Sequence, residues 1–135
     1  MSQFRKVTDA FSVSPQITPE EARTAAASGV ALIINNRPDG EAPDQPASAE
    51  IGAAARAAGA QYLELPVVGR PTLEQARAQA AAVAGAGGPV LAFCRSGTRS
   101  ITAWAIGEAA GGRDRAELIR LAAGAGYDLA AVLQG

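Results

Sequence analysis

Short runs of β-branched and aliphatic residues alternate along this chain with alanine-rich runs of helical spacing, and that alternation confines the fold to a parallel α/β layer architecture. Thr18-Pro19-Glu20-Glu21 is a capping box with proline at the first helical position, since the Thr hydroxyl and the Glu carboxylate can satisfy orphan N–H groups reciprocally. It predicts a helix to about Ser28, stopped by Gly29. Val30 to Asn35 is uninterruptedly apolar until its end, as expected of a strand covered on both faces. Asn35-Asn36-Arg37-Pro38-Asp39-Gly40 then leaves that strand as a loop, because Pro-Asp-Gly is turn chemistry. Ile51, Ala54, Ala55 and Ala58 recur at helical spacing from Ser48 to Ala58, ahead of Gly59. Tyr62 to Val68 predicts a strand, Thr72-Leu73-Glu74-Gln75 opens a second capped helix that the glycines from Gly85 to Gly88 close, and Pro89 to Phe93 reads as a central strand. Helices follow from near Thr98 and from Asp114, with Glu117 at the third helical position of the latter. Ser12 and Val13 are expected in an edge strand or ribbon. The length, 135 residues, fits one domain over 1–135, with a small mainly parallel sheet between two helical layers.

Composition narrows the chemistry. Hydrophobic residues make up 48% of the chain and charged residues 19%, so a packed core is affordable and disorder is not indicated. The net charge of −1 lacks the basic footprint of a nucleic-acid binder. No histidine is present, which excludes imidazole bases, Ser-His-Asp triads and His-ligated zinc. A single cysteine excludes an internal disulfide and any multi-thiolate metal site. No metal or cofactor is called for. Neither a signal peptide core nor a run of bilayer length is visible, and the expected setting is cytoplasmic, away from membranes. The Glu41-to-Pro46 stretch is expected to form a loop over one end of the sheet.

The one cysteine stands in Pro89-Val-Leu-Ala-Phe-Cys94-Arg95-Ser96-Gly97-Thr98-Arg99-Ser100, at the carboxyl end of a buried strand and the mouth of a helix. That is the ligand-binding edge of an open α/β sheet. A loop containing Gly97 can curl so that successive N–H groups converge on one point, a nest for an anion. Those dipoles, the start of the following helix and the Arg99 guanidinium all favour a charged sulfur over the neutral thiol, which free in water titrates at about 8.5. A lone cysteine on an apolar strand is otherwise an inert small hydrophobe; the surrounding residues argue for a nucleophile.

Cys94-Arg95-Ser96-Gly97-Thr98-Arg99-Ser100 resembles the active-site loop of rhodanese-type sulfurtransferases and, with one residue more, that of cysteine-dependent phosphatases. Together with Phe11-Ser-Val-Ser-Pro-Gln16 and Ile34-Asn-Asn-Arg-Pro-Asp-Gly-Glu41, it resembles the beta-lactamase-hydrolase-like phosphatase-like domain family over nearly the full length. The resemblance implies a dual-specificity-phosphatase-like fold, with members described both as phosphatases and as sulfur transferases. Some are fused or functionally linked to persulfide dioxygenases and sulfide oxidation enzymes. Cysteine phosphatases usually carry five residues between cysteine and arginine; this loop has four, and the tighter ring suits a single sulfur atom better than a tetrahedral phosphate. Their general acid is an aspartate shortly after the third strand, and the matching Tyr62-Leu-Glu-Leu-Pro-Val-Val-Gly-Arg-Pro71 contains none. Transfer of sulfane sulfur depends less on an acid, because sulfite or a thiol leaves easily.

The expected roles follow. Cys94 attacks as thiolate and carries sulfur to an acceptor thiol; Arg99 holds the donor anion bidentately. Ser100 either assists departure of the thiolate, as the resemblance implies, or caps the helix. Arg95, Ser96, Gly97 and Thr98 form the cradle through their backbone. Asn36 and Arg37 either build a second wall of the site or lie in a solvated turn, and Asp39 is the candidate acid, though a turn explains it as well. Ile101 and Trp104 read as a core stripe, and Tyr62 and Tyr127 as packing. The partner is a small anionic sulfur donor or, alternatively, a phosphate ester; a third reading is a non-catalytic anion-binding or redox-sensing module. Oligomeric state stays open.

Overall fold

The computed structural model describes residues 3–134. Five strands form one sheet in the order β1-β2-β5-β3-β4: β1 (Arg5–Lys6), β2 (Phe11–Ser14), β3 (Leu32–Asn35), β4 (Gln61–Glu64) and β5 (Val90–Phe93). β1 runs antiparallel to β2 and every other pairing is parallel. The helices are α1 (Pro19–Ala27), α2 (Ser48–Ala57), α3 (Leu73–Ala84), α4 (Thr98–Ala110), α5 (Arg115–Gly124) and α6 (Ala130–Gln134).

The pleat sends alternate residues of each strand to opposite helical layers. Leu32 and Ile34 of β3 and Val90 and Ala92 of β5 face Ile101, Trp104, Leu118 and Leu129, whereas Ile33, Leu91 and Phe93 face Ala22, Ala25, Ile51 and Ala55. Both faces of β3 and β5 are covered, which is why their sequences read as continuous apolar runs. The helices α3 and α4 pack so closely that a Cβ on Gly107 would lie 2.6 Å from the Ala76 carbonyl oxygen. Trp104 stacks on Phe11 with ring centroids 5.6 Å apart, and Ile101 is fully buried, the core stripe expected of this helix.

The capping signals act as written. Thr18 accepts from Glu21 N–H and Glu21 reaches back to Thr18 N–H; Thr72 and Gln75 do the same, and Asp114 accepts from Glu117 N–H. Ser12 and Val13, expected in an edge strand or ribbon, lie in β2, which forms an antiparallel ribbon with the short Arg5–Lys6 strand; β1 takes the edge and β2 is interior. One expectation is corrected. The strand expected to run from Tyr62 to Val68 ends at Glu64. Leu65 and Val67 still donate to the Asn35 and Asn36 carbonyls, but two residues on this side meet one on the other, so the parallel register is lost where β3 itself ends at Asn35. No helix among the described residues is long and apolar enough to cross a membrane.

Candidate active site

The parallel register brings the ends of β2, β3 and β5 to one edge: Ser14 lies beside Phe93, and Asn35 on its other side. The segments leaving these strands form the site. Cys94 follows β5 directly, is fully buried, and its N–H donates to the Ser14 carbonyl at 3.4 Å. Gly97 caps α4 with φ +91°, a left-handed conformation that glycine adopts at no steric cost. Its N–H donates to Cys94 Sγ at 3.1 Å. The N–H of Thr98 turns instead to Ser96 Oγ at 3.4 Å. A single amide of the loop thus reaches the sulfur, where the sequence suggested several.

Arg99 makes three hydrogen bonds to two partners. Its Nη1 and Nη2 each donate at 2.8 Å to the two Glu41 carboxylate oxygens, and Nη1 also donates to the Val67 carbonyl at 2.7 Å. A guanidinium has five N–H donors; the Glu41 and Val67 bonds take three, and the Nε–H and one Nη2–H that remain are the donors left for the Cys94 sulfur, to which the side chain also bonds, and for a ligand. Together those two form a second fork able to grip an oxyanion. The Glu41 bond chiefly raises the Arg99 pKa, and the nearby Cys94 sulfur adds to it. Arg37 joins the cluster, donating from Nε to Glu41 at 2.9 Å and from Nη1 to Gln16 Oε1 at 3.0 Å. Arg37, Glu41, Arg95 and Arg99, with Ala42, Pro43 and Gly69, line a cleft of about 630 Å³.

The Glu41 loop is itself built. Glu41 N–H donates to Gln45 Oε1, and Gln45 Nε2 donates to the Pro38 carbonyl. Asp39 Oδ1 accepts from Ser48 N–H at 2.8 Å, supplying the cap that Ala47 at the helix start cannot. Asp39 is exposed and spent on α2, so the candidate acid is a capping residue. Asn36 is corrected as well: it is fully buried, donating to the Leu65 carbonyl and to Gln79 Oε1, and braces the scaffold behind the cleft without forming its wall. Gln79 in turn donates to the Ser100 carbonyl at 3.1 Å, tying α3 to the first turn of α4. Ser100 is buried in that turn while Gly97 occupies the cap, so Ser100 is no helix cap; its hydroxyl has no hydrogen-bond partner among the described residues. Arg95, Ser96 and Thr98 are exposed around the loop.

Two residues of the site escaped the sequence reading. Glu41 follows a Pro-Asp-Gly turn and looks like a solvated carboxylate. Tyr127, read as packing, donates its hydroxyl to the Ser96 carbonyl at 2.7 Å. The other tyrosine, Tyr62, bonds Ser48 and Asn35 behind the sheet end.

The Arg99 hydrogen bond holds the Glu41 carboxyl down to about 2 from an ordinary 4.5, with Arg37 assisting and desolvation opposing. A carboxylate depressed in the folded chain contributes stability in full above its unfolded value and loses it as pH falls through the folded one. Glu41→Gln is therefore expected to melt at a lower temperature than the parent chain at neutral pH, with the difference closing as pH falls toward about 2. Paired thermal melts across that range check it.

Residues 3–111 match the model of the beta-lactamase hydrolase-like protein, phosphatase-like domain. The chain belongs to that family. A beta-lactamase hydrolase-like protein of Agrobacterium fabrum is 38% identical over 129 residues, 93% of this chain and 30% of the relative. The chain thus spans under a third of the length of the curated relatives it matches. Among solved structures, a phosphatase candidate from Neisseria meningitidis superposes with a TM-score of 0.86 at 32% identity, covering 99% of this chain and 96% of that one. TpbA of P. aeruginosa, solved as a Cys-to-Ser variant with phosphotyrosine, gives a TM-score of 0.64 at 17% identity over 94% and 76% of the two chains, a likeness of fold alone. The family's phosphatase-like domain is accordingly a cysteine-phosphatase-like α/β fold, and the expected three-layer architecture holds.

Proposed function

We propose that this phosphatase-like domain is a thiolate-dependent sulfurtransferase. The observation that carries the reading is the lack of a proton donor among the described residues lining the cleft. Glu41, its one carboxylate, stays ionised in the grip of Arg99 and Arg37. Asp39 is committed to the start of α2, and Glu64 is exposed at the end of β4. Cleaving an alkyl phosphate expels an alkoxide, where a positioned acid contributes about 10²–10⁴-fold. Sulfite or a thiolate departs without one. Full burial of Cys94 and the short loop also favour a donor that presents one small atom.

The step balances without a cofactor. The Cys94 thiolate attacks the outer sulfur of thiosulfate; the new S–S bond forms as the S–SO₃ bond breaks, and sulfite takes the electron pair. A persulfide remains on Cys94. An acceptor thiolate then attacks its outer sulfur, and the Cys94 thiolate leaves, received by the Gly97 N–H. The Nε–Nη2 side of Arg99, which also bonds the Cys94 sulfur, holds the sulfonate oxygens of thiosulfate or the carboxylate of a glutathione persulfide.

Hydrolysis of a small phosphate ester is the second reading, and the family description and the Neisseria meningitidis relative favour it over sulfur transfer. An aryl phosphate, with its good leaving group, would need the missing acid least. Intact mass after incubation with thiosulfate or glutathione persulfide separates the readings, with an expected gain of about 32 Da on Cys94, one sulfur atom. No adduct, together with turnover of alkyl as well as aryl phosphates, assigns the domain to phosphate chemistry. A thiol that turns over neither substrate and only oxidises would be a sensor.

A further inference from the structure

The Ser96 carbonyl and the Gly97 N–H belong to one peptide unit, and its two ends are held from opposite sides. The N–H donates to Cys94 Sγ at 3.1 Å, and the oxygen accepts from the Tyr127 hydroxyl at 2.7 Å. A trans peptide is planar, with C=O and N–H pointing in opposite directions, so anchoring the oxygen aims the hydrogen. An anchor is needed because Gly97, at φ +91°, has no Cβ to oppose rotation of that unit. We propose that Tyr127 is a positioning residue for the nucleophile, holding the Ser96–Gly97 peptide with its N–H turned onto the Cys94 thiolate. The inference rests on Cys94 being the nucleophile and serves sulfur transfer and phosphate hydrolysis alike.

Tyr127 is well placed for this. It follows α5, and its own N–H donates to the Ala122 carbonyl at 2.9 Å. Arg5 lies 5.6 Å from its ring centre and donates to the Ala125 carbonyl at 3.2 Å, so the amino-terminal strand backs the ring. The approach to the loop leaves no slack: a Cβ on Gly97 would overlap the Tyr127 hydroxyl. Partial burial raises the Tyr127 pKa, with the Cys94 charge adding and Arg5 opposing, so the phenol keeps the proton it must donate. A bond donated to the carbonyl also polarises the peptide and strengthens its N–H as a donor. The charged and titratable groups around the sulfur are Arg99 from α4 with Glu41 behind it, Arg95 in the loop, and Tyr127 with Arg5 behind it.

The test is the pH dependence of Cys94 alkylation by iodoacetamide in the whole chain, comparing the parent with Tyr127→Phe, which keeps the ring and its Arg5 contact. Access to the buried sulfur sets the plateau rate at high pH, whereas ionisation sets where along the pH axis the rate rises. Tyr127→Phe is expected to move the rise up by about one pH unit, roughly tenfold less thiolate on the acidic side. Tyr62→Phe, which removes a phenol bonded on the opposite face of the sheet, is expected to leave the rise in place. Coincident profiles for Tyr127→Phe and the parent, or a change of plateau alone, would overturn the positioning role and leave the nucleophile reading standing. A parent profile that rises only where a free thiol titrates, at about 8.5, would remove both.

Discussion

Cys94→Ser is expected to abolish the persulfide adduct and to reduce turnover, on sulfur donors and phosphate esters alike, by at least about 10⁴-fold. A serine hydroxyl does not ionise near neutral pH, and no histidine in the chain and no free carboxylate in the cleft can take its proton. The substitution is nearly isosteric. The Gly97 N–H that now points at the sulfur can donate to the new oxygen, so the buried site keeps its hydrogen bond and the stability cost is on the order of 1 kcal/mol. A thermal melt close to that of the parent, beside a lost adduct in the mass spectrum, separates loss of the nucleophile from loss of the fold. Retained turnover in Cys94→Ser would place the chemistry on another residue.

The second large effect is at Arg99. Arg99→Lys is expected to be nearly as damaging as Arg99→Ala, with kcat/KM down by about 10²–10³-fold in both, the equivalent of one or two charge-assisted hydrogen bonds. Arg99 engages Glu41 with both Nη atoms, takes the Val67 carbonyl, and has its Nε–Nη2 side left for the Cys94 sulfur and the ligand. An ammonium group is a point charge on a flexible stem. It can pair with Glu41 or reach an anion over Cys94, but it cannot present one planar fork to each. Steady-state kinetics on the three proteins check this, and a lysine variant within a few fold of the parent would show that charge alone suffices.

Much of the fold was legible in the sequence because its signals are local. Thr18 and Glu21, or Thr72 and Gln75, meet across three positions, and the boxes they announce are formed. The apolar runs of β3 and β5 identify interior strands, because both of their faces are covered. Where local signals compete, the sequence alone misplaces an element. The Tyr62-to-Val68 run is apolar enough to look like one strand, but its partner β3 ends at Asn35 and the parallel register is lost there. For Ser12 and Val13 propensity leaves an edge strand and a ribbon open, because it does not tell on which side a two-residue partner will pair; the ribbon is formed and puts them inside the sheet.

The site divides in the same way. Cysteine, glycine and arginine stand within six consecutive positions between a strand and a helix, so their convergence follows from chain geometry alone and the sequence by itself determined it. The partner that shares Arg99 lies 58 positions away, the hydroxyl that anchors Ser96 is 31 away, and the glutamine behind Asn36 is 43 away. Only the tertiary structure decided those pairings. Contacts between distant segments depend on strand order and on how helices pack, and neither leaves a periodic mark on the residues involved. In the same way packing made Asp39 a helix cap and left Glu41, indistinguishable from it as a loop carboxylate in the sequence, facing the arginine.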